Sequence, residues 1–163
     1  MQKNDLKLSF HLMAQPPSRK FLQSFHEDAG WSLPRREVDN IVKANNGKLQ
    51  WVGVNSENTK IGIARLELAP PEFCYVSDLV IKSKYRRLGA GRWFLRNIET
   101  FCAGSGIKRL LLTPESGSLP FYQALSFVPD PFVSGVIKKD INLFQPKMFS
   151  TRAGEPLVKF PLR

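Results

Sequence analysis

Two spacings of apolar residues alternate along the chain and predict strands and helices in turn. Residues 6–13, LKLSFHLM, alternate apolar and polar positions and predict a first strand. From about Pro17 to Asp28, and again from about Pro34 to Asn45, apolar residues recur every three or four positions, which predicts two helices. Gly47 is expected to close the second of them.

The middle of the chain carries the pattern of a sheet. LQWVGV and KIGIARLEL alternate apolar and polar residues on either side of the turn-rich NSENT, which predicts an antiparallel hairpin. FCYVSDLVI is too apolar for a strand at the edge of a sheet. Downstream, KRLLLTP predicts a buried strand and VSGVIKKDINLF the final strand.

Two further helices are predicted after the strand FCYVSDLVI. The first follows the glycine-rich YRRLGAGRW, residues 85–93, and ends at GSG; its apolar stripe consists of Trp93, Phe94, Ile98, Phe101 and Cys102. The second is short and lies in SLPFYQALSF, with Ser118 as its N-cap and Pro120 in its first turn. The alternation of strands and helices predicts an α/β fold.

Length and composition fit a single globular domain over residues 1–163. A chain of 163 residues with 42% hydrophobic residues can bury a core of its own. The core is expected over about 6–144, followed by a C-terminal extension, 145–163. Cys74 and Cys102 lie in apolar runs without metal-ligand spacing, which suits a reducing compartment. Neither a signal peptide nor a membrane span is apparent, so we expect a cytoplasmic protein without membrane contact.

The net charge of +10 favours anionic partners, including nucleotides, phosphates and nucleic acid. Between Lys82 and Arg109 only Glu99 opposes a cluster of basic residues around the glycine turn. The cluster comprises Lys82, Lys84, Arg86, Arg87, Arg92, Arg96, Lys108 and Arg109. A role in nucleic-acid binding stays open, although no strand alternates aromatic and basic residues as an RNA-binding sheet does.

The glycine turn is suited to hold an anion at the start of a helix. A helix start carries unpartnered N–H groups and partial positive charge, and glycines let a phosphate approach the backbone closely. A P-loop is excluded, because Arg92 and Trp93 follow Gly91. A dinucleotide-binding fingerprint is excluded because Phe94 stands where its third glycine is required. The remaining motif is R-x-x-G-x-G, read over residues 86–91.

With SDLVI before it and FYQALSF after it, this motif resembles the GNAT superfamily of acyl-CoA-dependent N-acetyltransferases. The resemblance implies a mixed central sheet of about six or seven strands, splayed between strands four and five and flanked by about four helices. It also implies acetyl-CoA as cosubstrate, with no metal. The chain departs from the family pattern at Glu115, Ser118 and Ser126.

The resemblance assigns the coenzyme and catalytic residues. It places the pyrophosphate on Arg86, Arg87, Leu88, Gly89, Ala90, Gly91 and Arg92, and the thioester on the backbone of Leu79, Val80 and Ile81. Tyr122 matches the general acid that protonates the leaving sulfur. Asp78 and Glu72 are candidate bases for the acceptor amine, and a purely structural role for Asp78 stays open.

The acceptor amine is not determined by the sequence. His26 and Trp31 are expected to line its pocket, and the acidic Glu27 and Asp28 beside them suit a cationic amine. A small molecule is favoured over a protein or aminoacyl-tRNA. Two alternatives remain, a non-catalytic acetyl-CoA-binding regulator acting through a protein partner and an RNA-directed acetyltransferase; a homodimer also stays open.

Overall fold

The computed structural model describes residues 6–43 and 48–141. Within these ranges, strands and helices follow the order that the sequence predicts. The strands are β1 (Leu8–Leu12), β2 (Leu49–Ser56), β3 (Thr59–Ala69), β4 (Phe73–Ile81), β5 (Arg109–Leu112), β6 (Val128–Pro129) and β7 (Ile137–Asp140). The helices are α1 (Arg19–Asp28), α2 (Arg35–Lys43), α3 (Ala90–Gly104) and α4 (Leu119–Ala124), with a 3-10 turn at Ser83–Tyr85.

The strands form one seven-stranded mixed sheet in the order β1-β2-β3-β4-β5-β7-β6. β1 and β2 pair antiparallel, as do β2 and β3, and also β5 and β7. β4 and β5 run parallel and pair only at Cys74↔Leu110 and Tyr75↔Leu111. The expected α/β fold, with a mixed sheet, four helices and limited contact between strands four and five, is confirmed.

The described chain divides into two compact units. One contains the residues up to Leu68 together with Val76–Asn97, and the other contains Ala69–Tyr75 and the residues from Ile98 onward. The expectation of a single domain over 1–163 stays a prediction. The closing role of Gly47, the last residues of the predicted final strand and the extension 145–163 lie outside the described residues.

The first unit has a core between α1, α2 and the sheet. Its buried side chains come from α1, α2, β2, β3 and β4, and they are Leu22, Phe25, Val38, Trp51, Ile63 and Val80. Apolar residues at helical spacing therefore face a sheet whose strands alternate inward and outward side chains. In the second unit the buried residues include the free cysteines, Cys74 and Cys102.

Differences from the sequence-based expectations concern element ends and two short elements. β7 begins at Ile137 rather than at 133, and β6 and the 3-10 turn were not predicted. Ser118 occupies the N-cap position of α4, but its hydroxyl donates to the Glu115 carbonyl and does not cap the helix. Pro120 lies in the first turn of α4, as predicted.

Gly62 on β3 tests how tightly the first unit is packed. A Cβ at this position would lie 2.5 Å from Ile81 Cδ1, 2.6 Å from Val54 Cγ1 and 3.1 Å from the Val80 carbonyl oxygen. Because the backbone oxygen cannot rotate away, we expect Gly62→Ala to lower the free energy of unfolding by about 1–3 kcal/mol. Urea denaturation measures this change.

The matched control is Gly104→Ala at the end of α3, where an added Cβ meets nothing within 4 Å. This variant should stay within about 0.5 kcal/mol of the parent protein. Equal stabilities of the two variants would contradict the close approach of β2, β3 and β4 at Gly62.

Candidate active site

The glycine turn lies between the end of β4 and the start of α3. After the 3-10 turn, Arg87 has φ +61° and Gly89 has φ +85°, both in the left-handed region. Gly89 adopts that region without strain, which reverses the chain so that α3 starts at Ala90. Trp93 N–H donates to the Gly89 carbonyl at 3.0 Å, so the N–H groups of residues 90–92 precede the helix ladder.

Positive charge surrounds this helix start. The first turn of α3 contains no acidic residue, and Arg87 and Arg92 are exposed. The helix macrodipole adds partial positive charge at the same end. The turn therefore offers backbone donors and exposed cations to an anion such as a pyrophosphate.

Arg86 is held by the protein itself. Its Nε donates to the Ile81 carbonyl at 2.8 Å, and its Nη2 lies 3.4 Å from Asp28 Oδ2. Asp28, at the end of α1, also accepts hydrogen bonds from the Ser83 backbone N–H at 2.7 Å and from the Ser83 hydroxyl at 2.9 Å. Arg86 and Asp28 thus fix the chain that leads into the glycine turn.

The segment of β4 that precedes this turn is distorted at Asp78, which has φ +51° inside the strand. Such a conformation is uncommon for any residue other than glycine, although aspartate adopts it more readily than most, and it clusters at functional sites. Of the residues assigned to the thioester, Val80 is buried, whereas Leu79 and Ile81 are half-buried. The Ile81 carbonyl is already occupied by Arg86.

The Asp78 carboxylate is almost fully buried and lies between two basic side chains. His26 Nε2, from α1, is 3.1 Å from Oδ1, and Arg65 Nε, from β3, is 3.1 Å from Oδ2. The Arg65 N–H points to the Ser77 hydroxyl at 3.0 Å, so its contact with Asp78 is an ion pair without a hydrogen bond. Asp78 therefore connects α1, β3 and β4.

A cavity of about 320 Å³ lies at the end of α1. Its walls come from α1, α2 and the segment between them, and they are Gln23, His26, Glu27, Gly30, Trp31, Ser32, Leu33 and Val38. The rings of His26 and Trp31 lie 5.3 Å apart between centroids. The structure thus brings the two residues predicted for the acceptor pocket, His26 and Trp31, to one cavity, and Glu27 also lines it.

Tyr122 belongs to the second unit, where it is 8% exposed. Its ring packs edge-on against Phe121 and Phe127, with centroids 5.1 and 5.5 Å away. Burial, and then the negative charge of Glu115, raise the pKa of Tyr122 to about 12. The phenol is therefore protonated at neutral pH and can donate a proton.

Glu72, the other candidate base, is exposed in the turn between β3 and β4. Its backbone N–H donates to the Ala69 carbonyl at 2.9 Å. The pKa of Arg109 is raised, first by its hydrogen bond with Asp140. The negative charge of the Glu72 carboxylate makes a smaller contribution in the same direction. Glu72 thus has a solvated environment, in contrast to the enclosed Asp78.

Sequence reasoning missed Arg65 and the structural role of Asp28. Arg65 is the basic residue in the strand segment IGIARLEL, and its charge beside apolar neighbours was the available signal. Asp28 gave no such signal, because its partners Ser83 and Arg86 are 55 and 58 residues away.

In the described residues, no group of three or more His, Cys, Asp and Glu side chains could hold a metal ion. None of the described helices has the length and apolarity needed to cross a membrane.

Comparison with known proteins supports the resemblance. An N-acetyltransferase of Prochlorococcus marinus, described as uncharacterized and ycf52-like, is 27% identical over 114 residues, which are 68% of this chain and 62% of that protein. The match thus spans less than two thirds of the relative's length. The crystal structure of the ribosomal-protein-S18-alanine N-acetyltransferase from Escherichia coli superposes with a TM-score of 0.62 at 12% identity, covering 82% of this chain and 94% of that one.

A second solved structure is the PaiA N-acetyltransferase of Thermoplasma acidophilum in complex with coenzyme A. Its TM-score is 0.56 at 15% identity, with 81% of this chain and 99% of that chain covered. At these identities the two structures show the shared fold alone.

The contacts of Asp28 with Ser83 and Arg86 are expected to stabilise the chain that leads into the glycine turn. We expect Asp28→Ala to expose the Ser83 amide and to speed its hydrogen exchange, because two hydrogen bonds and an ion pair are lost. The partly exposed site limits the loss of unfolding free energy to roughly 1 kcal/mol. NMR-detected amide exchange measures the first effect and thermal unfolding the second.

Asp39→Ala is the matched control, since it removes only the ion pair with Arg19 on the helix surface. The Ser83 amide should exchange at the parent rate in this variant. Unchanged exchange at Ser83 in Asp28→Ala would show that Asp28 does not fix the turn.

The model of the acetyltransferase (GNAT) family matches residues 16–127, a range that contains α1, α2, the glycine turn and Tyr122. The predicted resemblance to this family is thereby confirmed. The chain belongs to the GNAT acetyltransferase family.

Proposed function

We propose that the chain is an N-acetyltransferase that moves the acetyl group of acetyl-CoA to a primary amine by direct attack. The observation that carries the proposal is the turn over residues 86–91, where exposed arginines and free backbone donors lie at the start of α3. Membership of the GNAT family supports the same reaction. Acetyl-CoA supplies an activated acetyl thioester, and the chain supplies its binding site and the proton transfers.

The pyrophosphate is proposed to bind the N–H groups of residues 90–92 together with the side chains of Arg87 and Arg92. Arg86 contributes less directly, since its guanidinium already binds Ile81 and Asp28. Its role is to hold the turn in place while its exposed edge faces the anion. The backbone of Leu79 and Val80 is proposed to contact the pantetheine and thioester.

The acceptor is proposed to be a small amine bound in the cavity at the end of α1. Glu27 offers negative charge and Trp31 an aromatic face, and both attract an ammonium group. A volume of about 320 Å³ suits a small molecule better than a folded protein surface. Tyr122 is proposed as the general acid, and we further propose a cytoplasmic location.

Coenzyme binding is tested by Gly91→Glu, which adds a side chain and a negative charge where the pyrophosphate is proposed to lie. Acetyl-CoA should raise the melting temperature of the parent protein, because it binds the folded state only. In the variant we expect its affinity to fall at least ~10-fold, equivalent to about 1.4 kcal/mol. Isothermal titration calorimetry measures the affinity.

Two controls separate charge from bulk in this experiment. Gly91→Ala adds only a methyl group at the same position, and Gly104→Glu adds the same carboxylate at the other end of α3. Gly104→Glu should bind acetyl-CoA like the parent protein. An unchanged affinity in Gly91→Glu would place the phosphates elsewhere.

Turnover is tested by measuring free thiol released from acetyl-CoA with a panel of small primary amines. With an accepted amine, Tyr122→Phe should lower kcat by about 10²-fold with little change in coenzyme affinity, the low end for general acid catalysis. The low end is expected because a thiolate leaves readily without full protonation. The ring packing against Phe121 and Phe127 survives the substitution.

A higher KM for acetyl-CoA at unchanged kcat would mean that the hydroxyl only orients the coenzyme. Phe121→Leu is the control for altered packing around the ring, since it leaves the hydroxyl in place. Coenzyme binding without thiol release from any amine would favour the acetyl-CoA-binding regulator instead.

A further inference from the structure

His26 is the buried polar residue of the described core, with 1% of its surface exposed. Its Nε2 lies 3.1 Å from Asp78 Oδ1. A carboxylate beside Arg65 can only accept a hydrogen bond, so the hydrogen must be on Nε2 of His26. In a neutral imidazole the other nitrogen, Nδ1, then carries a lone pair and no hydrogen.

Nδ1 of His26 is buried and has no hydrogen-bond partner among the residues that the structure describes. An unpartnered buried polar atom costs about 1–3 kcal/mol, so its retention calls for an explanation. His26 also lines the cavity at the end of α1, beside Trp31 and Glu27. The side chain that carries this unpartnered nitrogen therefore lines a cavity large enough for a small molecule.

We propose that Nδ1 of His26 takes the proton of the acceptor amine, directly or through one water, and that Asp78 is the positioning residue that fixes the tautomer of His26. This inference rests on the proposed acetyltransferase function. It changes the roles expected from the sequence, in which Asp78 was a candidate base and His26 a pocket wall. The left-handed backbone of Asp78 aims its carboxylate at α1, and Arg65 pairs with the remaining oxygen.

In the proposed step the acetyl group moves from sulfur to nitrogen, and the nitrogen gives up two protons. The ammonium group gives one proton to Nδ1, which makes His26 an imidazolium stabilised by the Asp78 carboxylate. The nitrogen lone pair then forms the N–C bond, and the C–S electron pair leaves with sulfur. The nitrogen loses a second proton, which balances the proton that sulfur gains as coenzyme A thiol. His26 returns its own proton to solvent.

This arrangement selects amines that are charged at neutral pH. Such an amine needs a base before it can attack, and Glu27 lies in the same cavity wall to attract its charge. A nucleophile that is already uncharged, such as hydroxylamine, needs no base for the attack. Comparing the two kinds of nucleophile therefore shows whether His26 acts as a base or has only a structural role.

The first experiment needs no acceptor. Long-range ¹H–¹⁵N NMR spectra report which ring nitrogen carries the hydrogen, and the chain has only two histidines, so His11→Gln assigns the signals of His26. We expect hydrogen on Nε2 in the parent protein. In Asp78→Asn the new amide can donate to Nε2, so the hydrogen should move to Nδ1; asparagine also tolerates the left-handed backbone.

The second experiment compares 2-phenylethylamine, which is charged at neutral pH, with hydroxylamine. His26→Gln keeps a donor for Asp78 but removes Nδ1, and it should lower kcat for 2-phenylethylamine by about 10²- to 10⁴-fold. For hydroxylamine the rate should stay within a few-fold of the parent rate. Asp78→Asn should likewise lower kcat for 2-phenylethylamine but not for hydroxylamine. The kcat of the double variant should be no lower than that of the more impaired single variant.

His11→Gln is the matched control, since it makes the same substitution on β1 and should leave both rates unchanged. A hydrogen on Nδ1 of His26 in the parent protein at neutral pH, in a neutral or a charged ring, would overturn the proposal. Equal losses with both nucleophiles, or additive losses in the double variant, would make His26 structural. Failure of acetyl-CoA to bind the parent protein would instead overturn the proposed function and leave the tautomer result standing.

Discussion

The last turn of α1 contacts both the distorted part of β4 and the segment that leads from β4 into the glycine turn. His26 contacts the distorted strand at Asp78, and Asp28, two residues later, binds Ser83 and Arg86. One turn of helix thereby fixes both the kink in the strand and the direction in which the chain enters α3. Buried packing of Leu22 and Phe25 against the sheet fixes that helix in turn. The proposed acceptor cavity and the proposed anion site are consequences of the same attachment.

The positive charge of the glycine turn depends on which arginine Asp28 neutralises. Asp28 pairs with Arg86, which leaves the exposed Arg87 and Arg92 beside the helix start. Arg86 thus gains a fixed position and loses part of its attraction for an anion, whereas the other two arginines can adapt to a ligand. Under the proposed function, Arg86 shapes the loop, whereas Arg87 and Arg92 bind the phosphate.

The fold could be predicted from the sequence because its signals are local. β4 follows from one apolar run, and the start of α3 from glycines and arginines that are adjacent in the chain. The contacts of the candidate site are not local: His26 and Asp78 are 52 residues apart, and Arg65 reaches Ser77 across neighbouring strands. Spacing predicts which face of an element is buried, but not which side chain it meets. The positive φ of Asp78 had no local sequence signal, because aspartate adopts right-handed, extended and left-handed backbone conformations.

Acetyl transfer has to remove protons from nitrogen and supply one to sulfur, and each unit of the chain holds a group suited to one of these tasks. In the first unit, His26 contacts Asp78 through Nε2, and its Nδ1 has no hydrogen-bond partner among the described residues. In the second, burial and Glu115 keep the Tyr122 phenol protonated, with its pKa raised to about 12. Glu115 is a departure from the family's usual residue, and its charge strengthens the hold of Tyr122 on its proton. In the proposed reaction, Tyr122 therefore starts with a proton to give, but its raised pKa also makes it a weaker acid, so the transfer depends on the basicity of the departing thiolate.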